Sequence, residues 1–99
     1  MIEIPIPGYK TFRFRHLVLD VNGTIAKDGH LIEGTKELLT ELRSKLEIHL
    51  ITADTHGGQE VINHQLNLVA VLIPVEKQAE AKLDYIEKLG ANTVVAVGN

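Results

Sequence analysis

An open α/β fold, a parallel sheet covered by helices, is what this sequence predicts, and three observations carry the prediction. From His16 onward, short apolar runs alternate with amphipathic stretches of helical period. The runs are apolar nearly throughout rather than on alternate residues, as in strands buried on both faces. Each run ends in polar or turn-forming residues. Length sets the scale: 99 residues, 44% of them hydrophobic, make one domain with a single core. With two Tyr, two Phe and no Trp, that core must be aliphatic.

Taken in order, residues 1–14 carry Ile2, Ile4 and Ile6 among Pro5, Pro7 and Gly8. Proline cannot donate to a central ladder, so this stretch reads as an edge strand or extended arm. His16–Asp20 is the first core strand, and residues 15–99 form the core. Val21–Gly34 is a short excursion in which Asp28-Gly29 signals a hairpin. Thr35–Leu46 reads as a helix with Leu38, Leu39, Leu42 and Leu46 on one stripe. Glu47–Thr52 is the second strand. Gly57–Asn67 is a helix with Val61, Ile62 and Leu66 inward. Leu68–Ile73 is the third strand, closed by Pro74. Residues 76–89 form a helix with Ala79, Leu83, Ile86 and Leu89 at helical spacing, stopped by Gly90. Thr93–Val97 is the fourth strand. An apolar run ending in Gly98-Asn99 is an unusual close for a domain, so the natural chain is expected to continue.

Composition removes several function classes. A net charge of −3 with 23% charged residues argues against disorder and against a basic nucleic-acid-binding face. The absence of cysteine excludes disulfides and thiolate metal sites. No apolar run approaches the ~20 residues that span a bilayer. Met1-Ile2-Glu3-Ile4-Pro5 lacks the basic and long apolar regions of a signal peptide. A cytoplasmic protein without membrane insertion is expected.

In open α/β sheets ligands bind at the carboxyl ends of the strands. Here those ends are Asp20-Val21-Asn22-Gly23-Thr24, Thr52-Ala53-Asp54, Pro74 and Gly98-Asn99, with Lys77 and Lys82 on the last helix. The set suits a phosphoryl group. An aspartate can be a nucleophile or a Mg²⁺ ligand. Threonine hydroxyls and backbone amides bind phosphate oxygens, and a lysine neutralises developing charge. The competing reading is that Asp-x-Asn-Gly is an ordinary strand-to-turn ending.

Asp20-Val21-Asn22-Gly23-Thr24 resembles the first motif, D-x-D-G-T, of the haloacid dehalogenase (HAD) superfamily, and the related D-K-T-G-T of P-type ATPases. Leu50-Ile51-Thr52 looks like the second motif, Lys82 or Lys77 like the third-motif lysine, and Val95-Ala96-Val97-Gly98-Asn99 like the start of the fourth, G-D-G-x-N-D. The resemblance covers residues 15–99 and is nearest to small soluble P-type-ATPase-like proteins of the superfamily. It implies that Asp20 is a nucleophile forming an aspartyl-phosphate. Asp20 and the Asn22 carbonyl would bind Mg²⁺, with Asn99 a weak further ligand. Thr52, Ala53, Asn22 and Gly23 would hold the phosphate, and the lysine would stabilise charge.

The sequence departs from that pattern in two places. Asn22 stands where phosphatases of the superfamily carry the aspartate that serves as general acid and base. An amide cannot exchange a proton at neutral pH, and such help is worth ~10²–10⁴ in rate. His30 and His56 are candidate substitutes, each also readable as a turn or helix-start residue. Asn99 stands where the fourth motif has aspartate.

The expected activity is therefore a slow Mg²⁺-dependent phosphatase acting on a small phosphorylated substrate or a phosphoprotein. The alternative is a non-catalytic domain that binds phosphate or a partner. A receiver-like domain is a third reading that Gly23-Thr24 fits poorly. Val21–Gly34 leaves room for a short flap and none for a cap domain. By the same resemblance the site is open, and a homo-oligomer is expected to cover it.

Overall fold

The computed structural model describes residues 1–53 and 59–98. The chain begins with an antiparallel hairpin, β1 (Ile2–Ile6) and β2 (Lys10–Phe14), which forms its own two-stranded sheet. Ile2 and Phe14, paired across it, pack on the main core, while Ile4 and Ile6 are exposed. The arm is anchored at its root only.

β3 (His16–Asp20) follows, buried over Leu17–Leu19. The Val21 carbonyl then accepts from the amides of Thr24, Ile25 and Ala26, which turns the chain in one tight loop. β4 (Ala26–Lys27) and β5 (His30–Leu31) form the second hairpin. Its turn residues Asp28 and Gly29 have φ of 53° and 81°, the positive pair that a type I′ turn demands. The rest alternates: α1 (Thr35–Leu42), β6 (Glu47–Thr52), α2 (Gln59–Leu66), β7 (Val71–Leu72), α3 (Gln78–Leu89), a 3₁₀ turn and β8 (Val94–Val97).

The main sheet has the order β7-β6-β3-β8, and all its pairs are parallel. Three helices flank it, giving the expected mixed α/β architecture. Leu17 pairs with Ile48 and Leu19 with Leu50. These four join Leu39, Ile62 and Leu66 in one buried cluster. Strand alternation sends His16, Val18, Asp20, His49 and Ile51 to the other face. There α3 reaches Asp20 through Lys82 and His49 through Tyr85.

Three elements differ from the expected ones. α1 stops at Leu42, because Arg43–Lys45 turn and the Arg43 guanidinium donates to the Leu66 carbonyl at 3.2 Å. The third strand contracts to Val71–Leu72 at the sheet edge, where it has β6 alone as a neighbour. α3 turns Gln78, Ala81, Lys82, Tyr85, Ile86 and Leu89 inward, whereas Ala79 and Leu83 face solvent. The stripe therefore lies one residue away from the apolar spacing. The inward positions are taken by side chains with polar partners on the sheet, and Leu83 is left 56% exposed. Leu38 and Val61, expected inward, are also exposed. Among the described residues no helix is long and apolar enough to cross a membrane.

Candidate functional site

Asp20 is the last residue of β3, and β3 lies between β6 and β8. The chain runs outward from β3 to β6 and β7, then crosses to β8 on the opposite side. Strand order therefore reverses at β3, and the crevice at such a reversal is where doubly wound sheets bind ligands.

Lys82 Nζ donates to Asp20 Oδ2 at 2.6 Å, with the two side chains 23% and 16% exposed. This is a charge-assisted bond in a largely desolvated setting, stronger than a surface pair. No donor reaches Asp20 Oδ1 among the described residues. Gly98 closes the other side. A Cβ there would lie 2.6 Å from Asp20 Cγ, so the backbone after β8 approaches the carboxylate as only glycine permits.

A cavity of about 90 Å³ opens beside this pair, lined by Asp20, Asn22, Thr52, Ala53, Gln78 and Lys82 among others. Asn22 Oδ1 is buried there, without a hydrogen-bond partner among the described residues. The bridge between Asn22 and Ala26 uses the Val21 carbonyl and the Gly23 amide. Among the described residues the Asn22 carbonyl carries no backbone bond. An orphaned buried acceptor costs roughly 1–3 kcal/mol, which a ligand or water placed in the cavity would relieve.

Five of the residues singled out from the sequence thus line one cavity: Asp20, Asn22, Thr52, Ala53 and Lys82. Of the two lysines, Lys82 meets Asp20, while Lys77 is the exposed N-cap residue of α3. Gly23 does not line the cavity, and its amide is spent on the Ala26 carbonyl at 2.8 Å. That removes the phosphate-binding amide expected of it. His30 lies on β5, exposed. Asp54, His56 and Asn99 lie outside the described residues. Gln78 also lines the cavity, though no sequence motif points to it. Its signal was its place four residues before Lys82, hence on the same helix face.

A second polar cluster lies at the opposite end of the same sheet face. His16 Nδ1 is 3.2 Å from His49 Nε2 and 3.4 Å from Glu47 Oε2, and His49 Nε2 is 4.0 Å from Glu47 Oε1. His49 Nδ1 is 2.8 Å from the Tyr85 hydroxyl. Burial pushes the His49 imidazole below the usual histidine range; Glu47 opposes this and His16 adds to it. Burial and Glu47 together push the Tyr85 hydroxyl up. From the sequence His49 is a mid-strand residue of no special note. The missing signal is register: His16 pairs with Glu47, and Val18 with His49. His16 and His49 are therefore diagonal neighbours on one face.

Fold and site together define a mixed α/β protein with a parallel sheet and a carboxylate–lysine pair at the sheet's carboxyl edge. No family model matches the chain, and no solved structure does. Over 39 residues it is 54% identical to the uncharacterized protein MJ0072 of Methanocaldococcus jannaschii, an alignment spanning 39% of this chain and 89% of that protein. The chain belongs to the family of that protein.

Proposed function

We propose that this protein is a Mg²⁺-dependent phosphohydrolase of the HAD type that works through a phosphorylated Asp20. The observation that supports it is the convergence of Asp20, Lys82, Thr52 and Asn22 on one cavity at the carboxyl end of the sheet. Asp20 Oδ1, which Lys82 leaves unbonded, attacks the phosphorus of a phosphate monoester. The bond from phosphorus to the leaving oxygen breaks, and that oxygen takes its proton from solvent. Lys82 holds the other carboxylate oxygen and neutralises the charge that gathers there. Water then attacks phosphorus, the bond to Asp20 breaks, and inorganic phosphate leaves with the carboxylate restored.

The donor set fits Mg²⁺, a hard cation commonly held by one or two carboxylates together with substrate phosphates. Asp20 and the Asn22 carbonyl would hold it. When bound, it supplies charge neutralisation at the phosphoryl oxygens.

Asn22 makes both chemical steps slow, because among the described residues no acid or base stands where the leaving group and the attacking water need one. The same amide favours a second reading, a domain that binds phosphate without turning it over. One experiment addresses both. The protein is incubated with Mg²⁺ and p-nitrophenyl phosphate, beside Asp20→Asn and Asn22→Asp. Slow turnover, abolished in D20N and raised by ~10²–10⁴ in N22D, is the expected result. An acid-stable aspartyl-phosphate with no turnover supports the second reading. Neither turnover nor phosphoprotein overturns the proposal.

A further inference from the structure

The cluster of His16, Glu47 and His49 has no part in the phosphoryl chemistry proposed for Asp20. His16 and Asp20 stand at opposite ends of β3, about 13 Å apart along an extended strand. Three potential ligand atoms, two ring nitrogens and a carboxylate oxygen, lie within 4.8 Å of one another. We propose that they form a zinc site, distinct from the Asp20 cavity, with three protein ligands and a fourth position open to water.

The distances carry the argument. Zinc takes nitrogen ligands at about 2.0–2.1 Å in a tetrahedral shell, which sets neighbouring ligand atoms about 3.3 Å apart. Here the two ring nitrogens are 3.2 Å apart, Glu47 Oε2 lies 3.4 Å from His16 Nδ1, and Glu47 Oε1 lies 4.0 Å from His49 Nε2. The longest belongs to Glu47, whose side chain is 66% exposed and free to adjust. The ring nitrogens of His16 and His49 face each other with Glu47 beside them. Without a cation, the proton on His16 Nδ1 donates to His49 Nε2, and a zinc ion would take that proton's place between them.

Orientation supports the same assignment. In the tautomer with His49 Nδ1–H donating to the Tyr85 hydroxyl at 2.8 Å, Nε2 turns its lone pair to His16 and Glu47. A ligating histidine characteristically has its second nitrogen held in this way. Two imidazoles and one carboxylate also discriminate between ions. Magnesium and calcium demand oxygen ligands, whereas imidazole suits zinc and its transition-metal neighbours. The register pinned by His16↔Glu47 and Val18↔His49 fixes two of the ligands on adjacent strands, so the site is largely formed before any ion arrives.

The test uses the full chain, stripped with a chelator and titrated with Zn²⁺ by calorimetry in excess Mg²⁺. Co²⁺ is then added as a spectroscopic stand-in. One ion per chain is expected, with the visible bands of four-coordinate cobalt and a melting temperature that rises with Zn²⁺. Glu47→Gln and His16→Gln should each weaken binding at least tenfold, and Tyr85→Phe by ~10–100-fold. Asp20→Asn, and His64→Gln on the exposed face of α2, should bind as the unaltered protein does. Glu47→Gln alters an exposed side chain, so it keeps the test independent of folding. The proposal is overturned by the lack of saturable one-to-one binding. It is equally overturned by binding that Glu47→Gln and His16→Gln leave unchanged. Failure of D20N to abolish phosphoryl chemistry would strike the Asp20 proposal alone.

Discussion

The two faces of the main sheet share their strands and little else. One face presents Leu17 and Leu19 from β3 and Ile48 and Leu50 from β6, sealed with Leu39, Ile62 and Leu66 from two helices. The other presents His16, Val18, Asp20 and His49 and is met by α3, a helix without a single fully buried residue. The first face draws its stability chiefly from area removed from water, and the buried polar Gln59 of the α2 helix on that side is bonded to Asn63. The second gives up apolar contact for ion pairs and hydrogen bonds that hold side chains at set positions. The comparison teaches that folding and chemistry are divided by the pleat: a shift of one residue along a strand changes the role.

Breaking the apolar face should have the largest effect. Leu50 is 1% exposed, and Leu50→Ala should lower unfolding free energy by ~2–5 kcal/mol, read by urea denaturation. A smaller change at the polar face would sharpen the contrast. Gly98→Ala forces a Cβ against Asp20, so the carboxylate or the end of β8 must move. The expected cost is ~1–3 kcal/mol in stability, together with a loss of phosphoryl acceptance larger than that stability loss explains. Phosphorylation measured at a temperature where the variant is fully folded separates the two. Leu83→Gln should have the smallest effect. Leu83 projects into solvent from α3, so melting should stay within about 0.5 kcal/mol of the unaltered protein. A large loss would mean that the outer side of α3 is covered.

The same division explains what could be read from the residues in advance. β3 and β6 were legible to the residue, because continuous apolar runs between turn signals admit few alternatives. Asp28-Gly29 was legible because only a primed turn accommodates two positive φ values. Asp20, Asn22, Thr52 and Lys82 were legible as a group because strand ends in a parallel sheet converge. The apolar spacing misplaces the buried face of α3 for a physical reason: it locates a buried stripe only when the stripe is apolar, and here Gln78, Lys82 and Tyr85 occupy it. The His16–Glu47–His49 cluster was hidden because it depends on the register between two strands, which no local pattern reports.

The crossover to β8 has one more consequence, for the order of folding events. Asp20 and Lys82 are 62 residues apart in sequence, and Gly98 comes later still. A chain folded only through β7 contains the apolar core of β3, β6, α1 and α2, yet its central carboxylate stands without the lysine or the close glycine backbone. Closing so long a loop costs entropy that the last contacts alone repay. The Asp20–Lys82 pair is thus a reporter of late folding, formed only once α3 has docked on the sheet.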